Sequence, residues 1–402
     1  MGQKAFKYRL YPTAPQAVRM TQMLRDHCEL YNAALQERRQ AWAHQSKTTV
    51  RASQQMAQLK AIREVRPDQA VWSFTSQQQT LRRLDKAFQA FFRRVKRGDT
   101  PGYPRFRSHT RFDSVDFRHG DGIKYTDVRD GWGSLYVMGV GHVKVRTHRP
   151  LPAGVKLGHM SVKREGAGRR AKWHLVLVVE VDEVPLEPTG RAVGIDLGVA
   201  ALATTSNGEQ IANPRALAAA AGRLADAQRA LARKKRGSNR RKRAVARVAA
   251  LHGKVRRQRL DHAHKTALAL VRSHDVLVLE DLGVTNMTKA PKPVADPDQP
   301  GSYLPNGAAA KAALNKSILD AGWGVFTSIL TAKAASAGRE MIFVNPAYTS
   351  VTCSSCGHRD KTNRRTQAEF VCVDCSFECH ADVNAAINIL RAGTAQHHAL
   401  AA

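Results

Sequence analysis

The sequence is 402 residues long, enough for two or three domains. Lys and Arg number 64 against 33 Asp and Glu, so the formal net charge is +31. This excess predicts a polyanionic partner, and nucleic acid is the most direct candidate. A basic membrane-surface protein is the competing interpretation. However, the sequence has no long apolar span and no charged-then-apolar leader, so we expect neither membrane insertion nor secretion.

The first segment predicts a strand followed by a helix. Residues 4–12 alternate apolar and basic side chains, which is the period of a β-strand with one buried face. Thr13 and Gln16 have the spacing of a capping box, which marks the start of a helix. The apolar residues that follow recur at helical intervals: Met20, Leu24, Cys28, Tyr31 and Leu35.

A second helix is predicted from about residue 73 to residue 95, with Leu81, Leu84 and Phe88 on its apolar stripe. Three consecutive glutamines interrupt this helix, and Gln78 falls on the stripe itself. Because a glutamine amide can form two hydrogen bonds with adenine in the major groove, Gln77 and Gln78 are candidates for reading a base. The alternative is that these are polar residues at the edge of the core.

From residue 100 onward, turn residues separate short alternating runs. Strands are predicted at residues 134–147, 159–165 and 171–182, with a hairpin turn at Gly166 to Gly168. Several short antiparallel strands predict a small barrel.

Residues 101–107 predict a turn followed by an aromatic and basic strand. Tyr103, Arg105 and Arg107 combine an aromatic ring with guanidinium groups. Such a surface can stack bases and hold phosphates.

Residues 192–205 predict a strand, a tight reversal at Gly198 and a second strand. One carboxylate, Asp196, lies among residues that favour burial. A buried carboxylate is unfavourable unless a positive group neutralises it, and a divalent metal ion is a candidate. The alternative is an Asp that only caps the turn.

Residues 232–259 contain thirteen Lys and Arg residues and no acidic residue. Such a run repels itself unless countered, so it predicts contact with an RNA or RNA–DNA backbone. A nuclear-localisation signal or disordered tail is the alternative, but Val245 and Val248 argue against disorder. Residues 237–239 are predicted to divide the run into two helices. The candidate contacts are Arg233, Lys234, Lys235, Arg236, Arg240, Arg241, Lys242 and Arg243.

A second isolated carboxylate, Glu280, ends an apolar strand-like run. The following loop, residues 290–312, is rich in Pro, Gly, Asp and Ala. Its position favours a lid over the active site, although a plain surface linker is the alternative. A helix is then predicted to open at residues 314–323, and a strand is predicted at residues 341–344.

Five of the six cysteines fall between residues 353 and 379. Four form two Cys-x2-Cys pairs, separated by fifteen residues: Cys353, Cys356, Cys372 and Cys375. This spacing predicts a zinc ribbon with a closed, structural tetrahedral site. Cys379, His380 and His358 are surplus donors that could compete for the ion.

A third isolated carboxylate, Asp382, lies at the start of a helical segment. Asp196, Glu280 and Asp382 are what a phosphodiesterase with two divalent ions about 4 Å apart requires. Their order, in Ile-Asp-Leu-Gly, Leu-Glu-Asp-Leu and Asp-Val-Asn-Ala-Ala, resembles the RuvC-type, RNase H-like nuclease core of the TnpB family. Members of that family are transposon-encoded, RNA-guided DNA nucleases related to compact type V CRISPR effectors.

The resemblance implies an α/β multi-domain fold. It implies a wedge β-barrel at residues 1–12 and 100–184, interrupted by a helical recognition lobe at residues 13–99. The RuvC-like nuclease domain would comprise residues 185–350 and 377–402, with a zinc ribbon that binds target nucleic acid inserted at residues 351–376. Many family members have Arg directly before the third catalytic Asp, whereas this chain has Ala381 and so lacks a possible phosphate contact.

The resemblance also implies a function. The protein would bind a structured guide RNA of transposon-end or CRISPR origin and recognise a short motif beside its target. It would cleave double-stranded DNA with two Mg²⁺ ions held by the three carboxylates, while base pairing supplies sequence specificity. One structural Zn²⁺, one protein per RNA and a prokaryotic cytoplasmic location, on the nucleoid when the target is bound, are further expectations.

Two other functions remain open from the sequence. One is a nuclease-silent, RNA-guided DNA-binding repressor, against which the presence of all three carboxylates argues. The other is an accessory transposase that acts directly on transposon DNA.

Overall fold

The computed structural model describes residues 2–127, 130–152, 154–166, 168–182, 185–299 and 301–401. The chain divides into two compact units. The first comprises Met1–Asp182 and Lys234–Ala250, and the second Glu183–Arg233 and Leu251–Ala402. Among the described residues, each helix is too short or too polar to cross a lipid bilayer.

Within the described residues, the first unit contains seven strands, five helices and the first part of a sixth helix, which is described below with the second unit. The strands are β1 (Gly2–Tyr11), β2 (Ser114–Arg118), β3 (Ile123–Asp127), β4 (Trp132–Val137), β5 (Gly141–Arg146), β6 (Leu157–Glu165) and β7 (Lys172–Val181). The helices are α1 (Ala14–Ala43), α2 (Ala52–Ala57), α3 (Leu59–Val65), α4 (Pro67–Ala70) and α5 (Phe74–Lys96). The capping box predicted at Thr13 and Gln16 is confirmed at the start of α1. Helices α2 to α4 were not predicted.

The seven strands form one antiparallel sheet in the order β2-β6-β7-β1-β5-β4-β3. The two edge strands follow each other in the chain, since β2 ends at Arg118 and β3 begins at Ile123. Five residue steps span at most about 18 Å, whereas the edges of a flat seven-stranded sheet lie about 29 Å apart. The sheet must therefore curl towards closure, as a small barrel requires, although β2 and β3 do not pair within the described residues.

Two strand predictions for this unit are wrong: one predicted strand is a pair of strands, and the other is not a strand. Residues 134–147 form two strands, β4 and β5, because Gly139 turns the chain with a φ of 77°. Residues 101–107 form no strand. Instead, the Asn32 side chain pairs with both the N–H and the C=O of Arg107, and so satisfies the groups that a neighbouring strand would use. The pairing of β6 with β7 is confirmed, but part of the predicted turn, residue 167, lies outside the described residues.

The second unit is built on a five-stranded sheet in the order β10-β9-β8-β11-β14. Its strands are β8 (Ala192–Asp196), β9 (Ala201–Thr205), β10 (Gln210–Ala212), β11 (Val276–Glu280) and β14 (Glu340–Val344). Strands β8, β11 and β14 are parallel, whereas β9 and β10 run antiparallel as a meander. The short pairs β12 (Val294–Ala295) with β13 (Tyr303–Leu304), and β15 (Glu369–Val371) with β16 (Glu378–His380), lie outside this sheet.

The helices of this unit are α6 (Ala216–Ala232), α7 (Asn239–Ser273), α8 (Val284–Met287), α9 (Ala308–Ala321), α10 (Trp323–Ser336) and α11 (Ala381–Ala401); α7 belongs to it from Leu251 onward. The break predicted at residues 237–239 is confirmed in part: α6 ends at Ala232 and α7 begins at Asn239, so residues 233–238 are not helical and the basic run contains one helix instead of two. The predicted helix at residues 314–323 is two helices, because Gly322 adopts a left-handed φ of 75° between α9 and α10. Residues 290–312 include the β12–β13 hairpin and the start of α9.

Candidate active site and zinc centre

Asp196 and Glu280 lie at the same edge of the second unit's sheet. Each is the last residue of its strand, and the strands β8 and β11 pair in parallel up to Ile195 and Leu279. Because parallel strands end on the same side of a sheet, both carboxylates leave the sheet side by side. The strand-end positions predicted from the sequence are confirmed.

Asp382 reaches this edge on helix α11, which packs against β8. The close approach depends on Gly194, since a Cβ there would clash with the carbonyl oxygen of Ala386 and lie 2.7 Å from the backbone nitrogen of Leu390. A Cβ at Gly198, in the turn after Asp196, would lie 4.0 Å from Oδ2 of Asp382. The third carboxylate is therefore next to the turn that follows the first.

The three carboxylates interact electrostatically. Burial, together with the charges of Glu280 and Asp382, raises the pKa of Asp196 to about 7, while Arg364 acts in the opposite direction. Burial also raises the pKa of Glu280, against a lowering effect from its hydrogen bond with Thr349. The cluster thus holds more negative charge than its buried surroundings compensate.

This donor set fits hard divalent cations. Carboxylate oxygens are the ligands that Mg²⁺ prefers, and buried, mutually repelling carboxylates are stabilised by cations. Among the described residues, the cysteine sulfurs form the one group of three or more donors whose ligand atoms all lie within 4.8 Å of one another. The oxygen atoms of the three carboxylates are therefore not all within 4.8 Å of one another, so they are farther apart than the ligands of one ion in a closed site.

Two polar residues of this site were missed by the sequence analysis. Arg364 donates from Nη2 to Oδ1 of Asp382 at 2.8 Å. Thr349 donates from its hydroxyl to Oε1 of Glu280 at 2.5 Å. Neither stands in a distinctive motif, because each reaches its carboxylate through the fold, across 18 and 69 positions of sequence.

The Arg364 contact bears on the position before Asp382, where many family members have Arg and this chain has Ala381. Ala381 is fully buried in the small core of the cysteine-rich region, with Phe370 and Cys372. A guanidinium group nevertheless contacts the third carboxylate, but it comes from the segment between the cysteine pairs. The resemblance alone did not place a cation there.

Helix α11 also fixes the residue that contacts Glu280. The Asn388 side chain donates to the carbonyl oxygens of Thr349 and Thr352, at 2.9 and 2.7 Å. Asn384 donates to Thr352 as well and accepts from the backbone N–H of Ser354. These bonds hold the segment before the first cysteine pair, and with it the Thr349 hydroxyl, against α11.

The four predicted cysteines come together. The Sγ atoms of Cys353 and Cys375 are 3.7 Å apart, and those of Cys356 and Cys372 are 3.6 Å apart. Four sulfurs around one zinc ion at about 2.3 Å would lie about 3.8 Å from each other, so the cluster fits a tetrahedral structural zinc. Cys379 lies in β16, outside the cluster. This second strand of the ribbon, Glu378–His380, extends beyond the predicted boundary at residue 376.

The structure separates the two glutamines proposed to read a base. Gln77 is fully buried, accepts from Arg63 at 2.7 Å and donates to the carbonyl of Gln69 at 2.9 Å. In this conformation it offers no group to a base, which corrects the prediction for Gln77. Gln78 is half-buried, so it does not lie on the buried stripe where the sequence analysis placed it. The buried face of α5 instead runs through Gln77, Leu81, Leu84 and Phe88.

Tyr103, Arg105 and Arg107 are exposed. The Tyr103 ring packs edge-on against Phe88 and Phe91, with centroids 5.5 and 5.3 Å apart. A cavity of about 410 Å³ lies beside this segment, lined by Arg25, Cys28, Glu29, Asn32, Arg107, Ser108 and His109. These residues therefore remain accessible to a ligand.

The basic candidates between α6 and the start of α7 are also accessible. All eight are exposed except Arg241, which is half-buried and donates to the carbonyl of Lys234 at 3.1 Å. The regular helix that follows argues against a disordered tail.

Three family models match the chain. Residues 176–290 match a model described as "Probable transposase" (OrfB_IS605), and residues 323–389 match "Cas12f1-like, TNB domain". Residues 1–47 match a model described as "Helix-turn-helix domain". In this structure residues 2–47 form strand β1, the single helix α1 and the residues after it.

Solved structures share the fold. A Cas12f1–sgRNA–target DNA complex matches with a TM-score of 0.61 at 13% identity, covering 96% of this chain and 98% of that one. The RNA-guided endonuclease CRISPR-Cas_phi3 matches with a TM-score of 0.52 at 10% identity, covering 98% and 92%. At these identities the likeness is one of fold alone.

Curated relatives match over most of their length. A "Putative RNA-guided DNA endonuclease" from Streptomyces pristinaespiralis is 34% identical over 98% of this chain and 90% of its own length. "Putative RNA-guided DNA endonuclease InsQ" from Escherichia coli is 34% identical over 79% and 74%. With this identity over nearly the whole chain, the protein belongs to the TnpB family, as the order of its carboxylate motifs indicated.

Proposed function

We propose that this protein is an RNA-guided DNA endonuclease. It would bind a structured guide RNA, recognise a short motif beside the target and cleave double-stranded DNA. The observation that carries the proposal is the convergence of Asp196, Glu280 and Asp382 at one edge of the sheet, in a chain with a net charge of +31. The RNA guide and the DNA target are inferred from its relatives, which are named putative RNA-guided DNA endonucleases.

The second unit is, in this proposal, an RNase H-like nuclease domain of the RuvC type. The sheet order β10-β9-β8-β11-β14, with a meander of three strands followed by two parallel strands, supports it. The first unit would supply the wedge, as the curled sheet, and the recognition lobe, as α1 to α5. The cysteine cluster would hold one structural Zn²⁺.

Asp196, Glu280 and Asp382 would hold two Mg²⁺ ions, which when bound activate a water molecule and stabilise the leaving oxygen. The residues around them orient the ligands. Thr349 occupies Oε1 of Glu280 and so fixes the rotamer of that carboxylate. Arg364 occupies Oδ1 of Asp382 and reduces the negative charge that an incoming phosphate meets.

The exposed basic and aromatic groups would contact the nucleic acids. The run from Arg233 to Arg243 has the charge density to follow a phosphate backbone. Unpaired nucleotides could stack on the ring of Tyr103 and pair through their phosphates with Arg105 and Arg107. Gln78, on α5, remains a candidate for reading the flanking motif. Gln77 is excluded from that role by its burial and its internal hydrogen bonds.

The test begins with the protein expressed together with its native flanking DNA, and with sequencing of the RNA that copurifies. That RNA is used to direct cleavage of a plasmid carrying the matching target in Mg²⁺. We expect Asp196→Ala to bind the RNA but not to cleave, and Asp261→Ala, which alters an exposed carboxylate on α7, to cleave normally.

Each other outcome has a meaning. Equal cleavage by Asp196→Ala and the unaltered protein would contradict the assigned active site. Guided binding without cleavage by the unaltered protein would favour the repressor. Cleavage of transposon ends without RNA would favour the transposase.

A further inference from the structure

The outward face of the first unit's sheet carries aromatic and basic side chains together. Along β4 and β5 the inward residues, such as Leu135, Val137, Val143 and Val145, are buried in the core. The alternate residues of β1, β3, β4 and β5 point outward. We call six of them the aromatic–basic face: Tyr11, Lys124, Trp132, Tyr136, Lys144 and Arg146.

Three large rings on this face are open to solvent. Tyr11, Trp132 and Tyr136 are 49%, 38% and 39% exposed. The rings of Tyr11 and Trp132 meet edge to face, with centroids 5.6 Å apart, so they form one continuous surface across the sheet. Rings that serve only the core are covered, as Tyr8 of the same sheet is.

The charges on the face are arranged in a way that favours an anion. Arg146 lies directly opposite Arg9 across the β1–β5 pair, and opposite Trp132 across the β4–β5 pair. Like charges directly opposite each other destabilise a sheet. Within the described part of the chain, the ammonium groups of Lys124 and Lys144 and the guanidinium group of Arg146 are not in an ion pair with any carboxylate. These three cations are therefore available to phosphate oxygens.

The cation–π contacts already present do not remove the charge. The Arg146 guanidinium lies 5.0 Å from the centre of the Trp132 ring, and that of Arg9 lies 5.6 Å from the Tyr11 ring. These contacts hold the rings in place, which lowers the entropy cost of stacking a base on them. The same arrangement, a ring beside a guanidinium group, suits a nucleotide, whose base stacks and whose phosphate pairs.

We propose that the aromatic–basic face binds unpaired nucleotides of the RNA partner. Bases stack on Trp132 and Tyr136, and phosphates contact Lys124, Lys144 and Arg146. The two rings are four residues apart on β4, about 13 Å along the strand, so each takes a different base. A duplex keeps its base faces internally stacked, whereas unpaired RNA presents them to such rings. The inference rests on the proposed function, since it requires the protein to carry an RNA.

The first test is ultraviolet crosslinking of the purified protein with its copurified RNA, followed by mass spectrometry of the peptides. We expect nucleotides attached to peptides that contain Trp132 or Tyr136. Recovery of these peptides without nucleotide, while other peptides of the same sample are crosslinked, would overturn the inference. So would attachment that requires added target DNA and carries deoxynucleotides, because the ligand would then not be the RNA.

The second test separates stacking from charge. Affinity for the recovered RNA is measured over a series of salt concentrations for Trp132→Ala, Trp132→Phe and Lys144→Ala. Trp132→Ala should bind about tenfold more weakly without a change in the salt dependence, and Trp132→Phe should restore most of the affinity. Lys144→Ala should lower the slope of log K against log salt by about one.

Trp42→Ala is the matched control, because Trp42 is a similarly exposed tryptophan, at 58%, that belongs to helix α1 and not to the sheet, and its loss should leave the affinity unchanged. Affinity unchanged in all face variants, in a protein that still carries a discrete RNA, refutes this inference alone. Absence of any discrete RNA from the unaltered protein refutes the proposed function and the inference together.

Discussion

The guanidinium of Arg364 contacts the carboxylate of Asp382, with Nη2 and Oδ1 2.8 Å apart. Arg364 lies between the two cysteine pairs, so the zinc ribbon contributes a side chain to the carboxylate cluster. The same nitrogen donates to the carbonyl of Gln367, and the Asp382 side chain is only 7% exposed. The fold of the cysteine-rich segment and the arrangement of the carboxylate cluster are therefore coupled.

Substitution of Arg364 tests this coupling at its point of contact. Arg364→Ala leaves Asp382 buried without its cation, and we expect guided DNA cleavage to slow by about 100-fold. Arg364→Lys should retain part of the rate, because it keeps the charge but not the guanidinium geometry. The measurement is the single-turnover cleavage rate at saturating Mg²⁺.

Arg365→Ala is the matched control. Arg365 is more than half exposed and forms only a loose surface pair with Glu369, at 3.9 Å. Its loss should leave the rate within about twofold of the unaltered protein, because such pairs contribute little. Equal rates for the two alanine variants would show that the Arg364 contact has no part in cleavage.

Removal of one zinc ligand should act through the same coupling. We expect Cys356→Ser to lose the single zinc ion, because a closed tetrahedral site needs all four sulfurs. Cleavage should then fall by roughly as much as in Arg364→Ala, because the segment that carries this arginine is no longer fixed. Cys379→Ser should keep both zinc and activity, since Cys379 lies outside the sulfur cluster. Metal analysis and cleavage rates check both expectations, and zinc loss from Cys379→Ser would show that the ligand set is wrong.

The packing of α11 on β8 can be tested at Gly194. A Cβ there clashes with the carbonyl of Ala386, so Gly194→Ala should lower the free energy of unfolding by about 1–3 kcal/mol. It should also slow cleavage, because α11 carries Asp382. Gly222→Ala, in an open position of helix α6, should raise the free energy of unfolding by about 0.5–1 kcal/mol instead. Urea unfolding distinguishes the two, and equal stability changes would contradict the packing argument.

The two glutamines of α5 should behave differently. Gln77→Ala removes two buried hydrogen bonds, the one that Gln77 accepts from Arg63 and the one that it donates to the carbonyl of Gln69, so it should lower the free energy of unfolding by about 1–3 kcal/mol. Gln78→Ala should leave stability nearly unchanged and relax the preference for the flanking motif. A target library with randomised flanking bases measures the preference. An unchanged preference in Gln78→Ala would remove that residue from motif recognition.

His27 should make the first unit sensitive to acid. It is completely buried, and burial lowers its pKa from 6.5 to about 4, while Arg83 adds to the effect. Below pH 6.5 the unfolded chain takes up a proton that the folded protein does not accept until about pH 4. Stability from this residue is therefore present above the unfolded pKa and is lost as pH falls, by about 3 kcal/mol in total.

His27→Gln removes this proton linkage. The difference in unfolding free energy between the unaltered protein and the variant should shrink by about 3 kcal/mol between pH 7 and pH 4. Urea unfolding at several pH values measures it. Parallel pH curves for the two proteins would show that His27 is not the acid-sensitive group.

Much of the candidate site could be predicted from the sequence because its signals are local. Asp196 and Glu280 end apolar strands, and the cysteines come in pairs two residues apart. The capping box at Thr13 and Gln16 is equally local. In each case the pattern is set by neighbouring residues, whose hydrogen bonding and burial follow from the period of one element.

The sequence could not predict which face of helix α5 packs against the neighbouring segments. The side chains of Gln77 and Gln78 point in directions about 100° apart around the helix axis. Which of them is buried depends on the hydrogen-bond partners that the neighbouring segments provide. Arg63 and Gln69 supply partners for Gln77, so the polar side chain is buried without leaving its amide unpaired. The apolar stripe alone suggested Gln78.

The family, the three candidate carboxylates, the cysteine set and the excess of positive charge that predicts a polyanionic partner can all be derived from the sequence alone. Only the tertiary structure placed Arg364 on Asp382 and Thr349 on Glu280, and brought the edge strands of the first sheet towards each other. It alone aligned Tyr11, Trp132 and Arg146 on one face. These relationships join residues that are far apart in the chain, and they arise from packing between elements. The residue pattern within a single element gives no direct information about that packing.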